Sequence, residues 1–186
     1  MKRKKARDRL ERKGQKGEEI FGRICYNKKT GEKKRMREKE EIIVKIVYQR
    51  TAFYYETDQM AIIHHANYIR WFEEARIFAM QQSGIDYAQM EKDGVLIPVL
   101  GVTCDYKSMV HFGETVDIEV KMEKYDGVRM EIRYVVRDHD SGEVRTTGSS
   151  RHCFITREGR PLSLKRRYPR YHERFAYLLG EETAEG

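Results

Sequence analysis

The fold is decided by the stretch 54–76, YYETDQMAIIHHANYIRWFEEAR, together with the residues that follow it to Gln82. From Ala66 onward, aromatic residues and alanines recur at spacings of three and four, which is the period of a helix with one buried face. These residues are Tyr68, Trp71, Phe72, Ala75, Phe78 and Ala79. Ser83 and Gly84 then supply a stop signal. The pattern predicts one long helix over residues 66–82, which carries the only tryptophan of the chain.

The sequence on either side of this helix has the character of β-strands. Strands are predicted over 42–53, 95–106, 116–122, 128–136 and 143–156, with shorter helices over 86–93 and 168–179. The third and fourth strands place an apolar residue at every second position and are joined by Asp126-Gly127, a two-residue hairpin signal. A long helix and an antiparallel sheet each have an apolar face to bury, and packing one on the other buries both. We therefore predict an α+β fold, an antiparallel sheet wrapped around one long central helix.

The charge of the chain is concentrated at one end. The whole chain has 37 Lys and Arg against 30 Asp and Glu, a formal charge of +7, which taken alone suggests a nucleic-acid partner. Residues 1–41 hold 17 of the basic and 8 of the acidic residues, so the remaining 145 residues have 20 against 22. Because residues 1–41 contain few large apolar side chains, we expect a disordered basic tail, or alternatively a start of translation at Met36. The predicted domains are this tail, an α+β domain over 42–165, and a C-terminal helix with a frayed end over 166–186.

Several classes of protein are excluded by what the sequence lacks. No apolar run approaches the ~20 residues of a membrane-spanning helix, and no apolar signal-peptide core follows the basic start, so we expect a cytoplasmic protein without membrane insertion. Its three cysteines are far apart and form no C-x-x-C pair, which argues against a disulfide framework or a zinc site. No glycine-rich phosphate loop occurs, and we expect no metal, no cofactor and no specific nucleic-acid partner.

Candidate chemistry lies just ahead of the predicted long helix. A helix N-terminus offers free backbone N–H groups that stabilise an oxyanion, and Asp58 precedes His65 by seven residues. Asp58 is thus a candidate general base or nucleophile, or else a loop or capping carboxylate. For His65 the candidate roles are to orient the substrate, to transfer a proton, or to supply only its backbone N–H. Asn67 and Tyr54 are further candidate site residues, and for Asn67 the structural alternative is a helix cap.

The two acidic residues on the predicted helix have a second interpretation. Glu73 or Glu74 on the helix is in principle a site acid. The spacing favours instead a surface ion pair of either residue with Arg70 or Arg76 on an exposed face.

Five short motifs occur in order along the chain: Thr57-Asp58, His65-Ala66-Asn67-Tyr68, Trp71-Phe72-Glu73-Glu74-Ala75-Arg76, Ile97-Pro98-Val99 and Asp105-Tyr106-Lys107. Over residues 43–161 the sequence resembles the 4-hydroxybenzoyl-CoA thioesterase family, whose members are acyl-CoA thioesterases with the hotdog fold. One departure is Ala61, where relatives usually have glycine. The extra Cβ stands where the backbone needs freedom or where an acyl chain approaches.

The resemblance implies hydrolysis of an acyl-CoA thioester, with Asp58 as the catalytic carboxylate and a backbone N–H near His65 in the oxyanion hole. It also implies a homodimer or homotetramer with active sites at the subunit interface. Pro98, Val99 and Tyr106 are then expected to line the acyl pocket and Lys107 to bind coenzyme A phosphates, although sheet core explains the first three as well. The alternatives are a thioesterase for acyl groups on acyl carrier protein, and a non-catalytic acyl-CoA-binding module whose tail contacts nucleic acid.

Overall fold

The structure is a computed structural model that describes residues 46–180. The predicted tail at 1–41, the first four residues of the first predicted strand, and the predicted frayed end at 181–186 lie outside the described residues. Within them, the elements in chain order are β1 (Ile46–Thr51), α1 (His65–Gln82), α2 (Tyr87–Lys92), β2 (Val99–Tyr106), β3 (Thr115–Tyr125), β4 (Arg129–Asp138), β5 (Val144–Cys153), α3 (Leu164–Arg167) and α4 (Pro169–Leu179). A single 3₁₀ turn, Tyr54–Glu56, follows β1.

The five strands form one antiparallel sheet in the order β1-β3-β4-β5-β2. The predicted hairpin is confirmed, because β3 and β4 pair directly across the turn at Asp126-Gly127. Asp126 stabilises that turn, since its Oδ1 accepts hydrogen bonds from the backbone N–H groups of Val128 and Arg129 at 2.8 and 2.7 Å. The alternating apolar residues of both strands point to one buried face.

Helix α1 lies on that buried face, as its 3.6-residue period predicts. Trp71 and Phe72 are almost fully buried, and the Phe72 ring stacks on the ring of Tyr134 from β4 at 4.4 Å between centroids. The ring also lies directly over Gly148 of β5, where the absence of a side chain makes room for it. The predicted sheet wrapped around a central helix is therefore confirmed.

Helix α4 packs into the hydrophobic core beside α1. Phe175 is fully buried, and its ring packs edge-on against Phe154 at 5.1 Å and stacks on Tyr125 at 5.5 Å between centroids. Gly180 ends the helix with a left-handed φ of 88°. The C-terminal helix is thus packed into the same hydrophobic core as α1.

Candidate active site

The segment between the 3₁₀ turn and α1 is a short closed loop that carries Asp58. Its base is a β-bridge between Thr57 and Ile63, and the Asp58 N–H donates to the carbonyl of Ile62 at 2.9 Å. The Asp58 side chain is partly buried, and its Oδ1 accepts the N–H of Met60 at 2.8 Å. Within residues 46–180 the second oxygen, Oδ2, has no hydrogen-bond donor. One oxygen therefore fixes the orientation of the carboxylate while the other is available for chemistry.

Ala61 completes this loop in a strained conformation. Its φ is 59°, and no other non-glycine residue among those described has a positive φ. The left-handed region costs an alanine about 1 kcal/mol relative to glycine, because Cβ crowds the backbone. The position thus adopts the left-handed conformation that glycine takes most readily, and the Ala61 N–H donates to the Asp58 carbonyl at 3.0 Å.

The start of α1 leaves a backbone donor free. His64 is the N-cap residue, and its Nδ1 accepts the N–H of Ala66 at 3.3 Å, while its carbonyl accepts the N–H of Asn67 at 2.9 Å. The N–H of His65 meets no acceptor in the described part of the chain. The His65 side chain is exposed, with its ring 4.0 Å from that of His64. A free N–H at the positive end of an 18-residue helix is the donor that an oxyanion hole needs.

Tyr106, at the end of β2, braces this first turn from the side. Its hydroxyl donates to the carbonyl of His65 at 3.0 Å, and its ring meets the ring of Tyr68 edge-on at 5.3 Å. Desolvation, together with the neighbouring Cys104, raises the pKa of Tyr106 to about 12. The hydroxyl therefore stays protonated at neutral pH and remains a donor to the helix.

Two other predicted site residues, Asn67 and Tyr54, have surroundings that a purely structural role explains. The Asn67 side-chain nitrogen donates to the carbonyl of Glu56 at 2.7 Å, so in this structure it ties the helix start to the 3₁₀ turn. Tyr54 is 74% exposed, and its ring meets the edge of Phe112 at 5.6 Å. A part in the reaction stays a prediction for both.

The four predicted substrate-binding residues lie at opposite ends of one strand. Pro98 and Val99 stand at the start of β2, and Tyr106 and Lys107 stand at its end. Seven steps of about 3.3 Å separate Val99 from Tyr106, roughly 23 Å. Of the four, Tyr106 alone has an observed contact with the start of α1, and the backbone N–H of Lys107 bonds the carbonyl of Arg145 on β5. One chain therefore does not gather the four around one pocket.

The expected surface ion pair on α1 is wrong. Glu74 pairs with Arg50 of β1, whose Nη1 lies 2.8 Å from Oε2, rather than with Arg70 or Arg76. Arg76 is buried, with its Nη1 against the sulfur of Met80 at 3.9 Å. The same Arg50 makes a second, buried ion pair with Glu56 at 2.8 Å. Sequence reasoning missed this pair, although an acid beside the Thr57-Asp58 motif and a basic residue six positions earlier were visible.

Among residues 46–180, no group of three His, Cys, Asp or Glu side chains is placed to hold a metal ion. None of the helices in this part of the chain could span a membrane.

The chain belongs to the thioesterase-like superfamily, because the sequence profile of that family matches residues 53–174. The predictions of a hotdog fold and of a thioesterase family are confirmed by this match and by the relatives of known structure.

Three relatives define the neighbourhood more closely. YneP of Bacillus subtilis (strain 168), which bears the name of an acyl-CoA thioesterase, is 35% identical over 120 residues, 64% of this chain and 86% of that protein. The DHNA-CoA thioesterase of Staphylococcus aureus superposes with a TM-score of 0.69 at 34% identity, covering 72% of this chain and 89% of that one. A hypothetical protein of Aquifex aeolicus superposes with a TM-score of 0.63 at 26% identity, covering 68% and 98%.

Proposed function

We propose that this protein hydrolyses an acyl-CoA thioester to the free acid and coenzyme A, with Asp58 as the general base or nucleophile. The observation that carries the proposal is that Oδ2 of Asp58 and the N–H of His65 are both without a partner among residues 46–180, and that they lie just inside and just after one closed loop. The name of the Bacillus relative supports the same activity.

The chemistry follows from these two groups. The thioester carbonyl accepts the N–H of His65, so the negative charge that develops on its oxygen is stabilised by that N–H and by the helix dipole. Asp58 either removes a proton from water as the water attacks the carbonyl carbon, or attacks that carbon itself. The C–S bond then breaks and the thiolate of coenzyme A takes up a proton. If Asp58 is the nucleophile, this leaves a mixed anhydride between Asp58 and the acyl group, and attack of water on the acyl carbon breaks it, which releases the free acid and restores the carboxylate. If Asp58 is the base, the attacking water supplies the hydroxyl of the product acid directly.

An aromatic acyl group fits the surroundings of the loop best. Large exposed side chains flank it on both sides: Phe53, Tyr54, Tyr55, Met60, Met109 and Phe112. Aromatic rings offer flat apolar surface that stacks on a planar acyl group. The Staphylococcus relative, named as a DHNA-CoA thioesterase, supports the same substrate class.

We expect a panel of thioesters to show this preference. Benzoyl-CoA and 1,4-dihydroxy-2-naphthoyl-CoA should be hydrolysed with kcat/KM at least about 10-fold above that of palmitoyl-CoA, because a stacked ring gains contacts that a flexible chain does not. Release of free thiol measures all of them. Faster hydrolysis of the same acyl group on acyl carrier protein would favour the carrier-protein alternative, and no hydrolysis of any thioester would indicate a binding module.

The proposed active form is a homodimer joined through β2. Within residues 46–180 this strand has a neighbour on one side only, and its free edge is eight residues long with Asp105 as its single charged residue. Val99 at its start is 55% exposed. Such an edge is a template for another strand. Antiparallel pairing of two β2 edges about a twofold axis would set Val99 of the partner subunit near Tyr106, bringing both ends of β2 to one site.

Light scattering on the full chain tests this assembly. The expected mass is twice the 22.2 kDa of one chain, or a higher even multiple. An active protein of monomeric mass would contradict the dimer while leaving the proposed reaction intact.

A further inference from the structure

Glu56 has the most completely bonded side chain near the site, although it takes no part in the proposed reaction. It is only 4% exposed, and each carboxylate oxygen receives two donors. Oε1 accepts from Arg50 Nη2 at 2.8 Å and from the Trp71 indole N–H at 2.7 Å. Oε2 accepts from the same Nη2 and from the Phe53 backbone N–H, both at 2.8 Å. The Arg50 guanidinium also lies over the Trp71 ring at 4.5 Å.

The backbone of the same residue is bonded as firmly. Its carbonyl accepts the N–H of His64 at 2.8 Å and the side-chain nitrogen of Asn67 at 2.7 Å. Glu56 therefore connects three places at once: β1 through Arg50, the middle of α1 through Trp71, and the start of α1 through His64 and Asn67. Asp58 follows only two residues later.

We infer that Glu56, held by Arg50 and Trp71, is a positioning residue that fixes the loop carrying Asp58 relative to the start of α1. The inference rests on the proposed function. With both its side chain and its carbonyl fixed to α1, the two residues from Glu56 to Asp58 have little freedom to move relative to the helix start. Catalytic groups must be held to within about 0.5 Å of the productive geometry, and a displacement of 1 Å costs as much as 100-fold in rate.

Stability alone is a poor reason for such an arrangement. Desolvation makes a buried ion pair about as stabilising as apolar side chains of the same volume, and often less so. What the pair adds is direction, because a carboxylate that accepts four hydrogen bonds from three fixed donor atoms has one orientation. Because only Thr57 separates Glu56 from Asp58, a fixed Glu56 limits how far the loop can move.

The test is Glu56→Gln, which keeps the shape but turns one acceptor oxygen into a donor that faces other donors. We expect kcat to fall about 10- to 30-fold with KM changed less than about 3-fold, because the loop is misplaced rather than the substrate released. Rates are compared at a temperature at which melting curves show each variant fully folded. Loss of folded protein is thereby removed from the comparison.

Glu74→Gln is the matched control. Glu74 accepts a hydrogen bond from the other terminal nitrogen of Arg50, also at 2.8 Å, but its side chain is 45% exposed and, among residues 46–180, bonds only Arg50 and Tyr48. Its loss should change kcat by less than about 3-fold, since no bond to the loop is removed. Equal rates in the two variants would overturn the positioning role.

A double-mutant cycle shows whether Glu56 acts through Asp58. In the Asp58→Asn background, Glu56→Gln should lower the residual rate by less than about 3-fold, because the group that it positions is already inactive. A full further loss of 10-fold or more would show that Glu56 acts on something else and would overturn the inference.

Trp71→Phe keeps the test decisive if Glu56→Gln does not fold. It removes the donor to Oε1 and retains an aromatic ring in the core, and we expect kcat to fall about 3- to 10-fold. An unchanged kcat in Trp71→Phe would refute the positioning role. Full activity in Asp58→Asn would instead refute the proposed function itself, so the two failures are distinguishable.

Discussion

Asp58→Asn should lower kcat for the best aromatic acyl-CoA by at least about 100-fold while the fold and the assembly persist, because it removes the only base or nucleophile in the proposed mechanism. The substitution is nearly isosteric. The asparagine Oδ1 can still accept the N–H of Met60, the bond that orients the side chain at 2.8 Å. The loop is thus preserved and only the reactivity of the second oxygen is lost. Free-thiol release measures kcat and KM, and a melting curve checks the fold.

Asp140→Asn provides the control for this experiment. Asp140 is exposed in the turn between β4 and β5, far along the chain from the loop, and its loss should change kcat by less than about 2-fold. If Asp58→Asn behaved like this control, the carboxylate would be only a loop cap, which is the alternative that its bond to Met60 also allows. The size of the effect decides between the two interpretations.

The parts of the fold that sequence predicts are those specified by local periodicity. Helix α1 was expected over 66–82 and spans His65–Gln82, because its buried side chains recur every three or four residues. The β3–β4 hairpin follows from Asp126-Gly127 in the same way, since a two-residue turn and alternating strands are properties of neighbouring residues. The short helix predicted over 86–93 is confirmed too, and its N-cap Asp86 accepts the N–H of Gln89 at 3.1 Å.

The partners of charged side chains could not be predicted in this way. Helical spacing favoured Arg70 or Arg76 as the partner of Glu74, yet Arg50 lies 24 residues away on β1 and reaches it through the fold. Arg76 follows Phe72 by one helical turn and therefore lies on the buried face of α1. A charged side chain is normally expected on the exposed face, so the sequence did not indicate that Arg76 is buried. Tertiary packing decides which charged side chains pair, and contacts between residues far apart in the chain cannot be inferred from one sequence.

The sequence predicts where the candidate site begins but not how it is built. Helix α1 begins at His65, as its pattern indicates, and Asp58 lies in the loop before it, while the roles of both residues stay predictions. Pro98 and Val99 lie at the start of β2 and Tyr106 lies at its end. They are within eight positions of one another in the sequence, but because the strand is extended they are far apart in space. One chain does not bring them together, and in the proposed dimer a second subunit would do so.

The second large effect is expected at Gly148, where β5 passes beneath α1. A Cβ built there would lie 2.5 Å from Cε2 and 2.7 Å from Cζ of Phe72, and 2.6 Å from the backbone carbonyl oxygen of Thr103. The Phe72 ring cannot yield, because its other face stacks on Tyr134, and the Thr103 carbonyl is part of β2. Gly148→Ala should therefore lower the free energy of unfolding by about 2–3 kcal/mol, the cost of overpacking a rigid core. For a chain of this length the melting temperature falls by roughly 4–12 °C.

Gly101→Ala separates this crowding from the general effect of replacing a strand glycine. A Cβ at Gly101 would approach Nη2 of Arg151 to 2.7 Å, but that atom is the free end of an exposed, flexible side chain that can move aside. We expect a change within about 0.5 kcal/mol, as for a surface substitution without a fixed neighbour. Denaturant titrations of both variants give the comparison. Equal losses would mean that α1 shifts to accommodate the new methyl group, and that the close contact of Phe72 with β5 does not fix the spacing between helix and sheet.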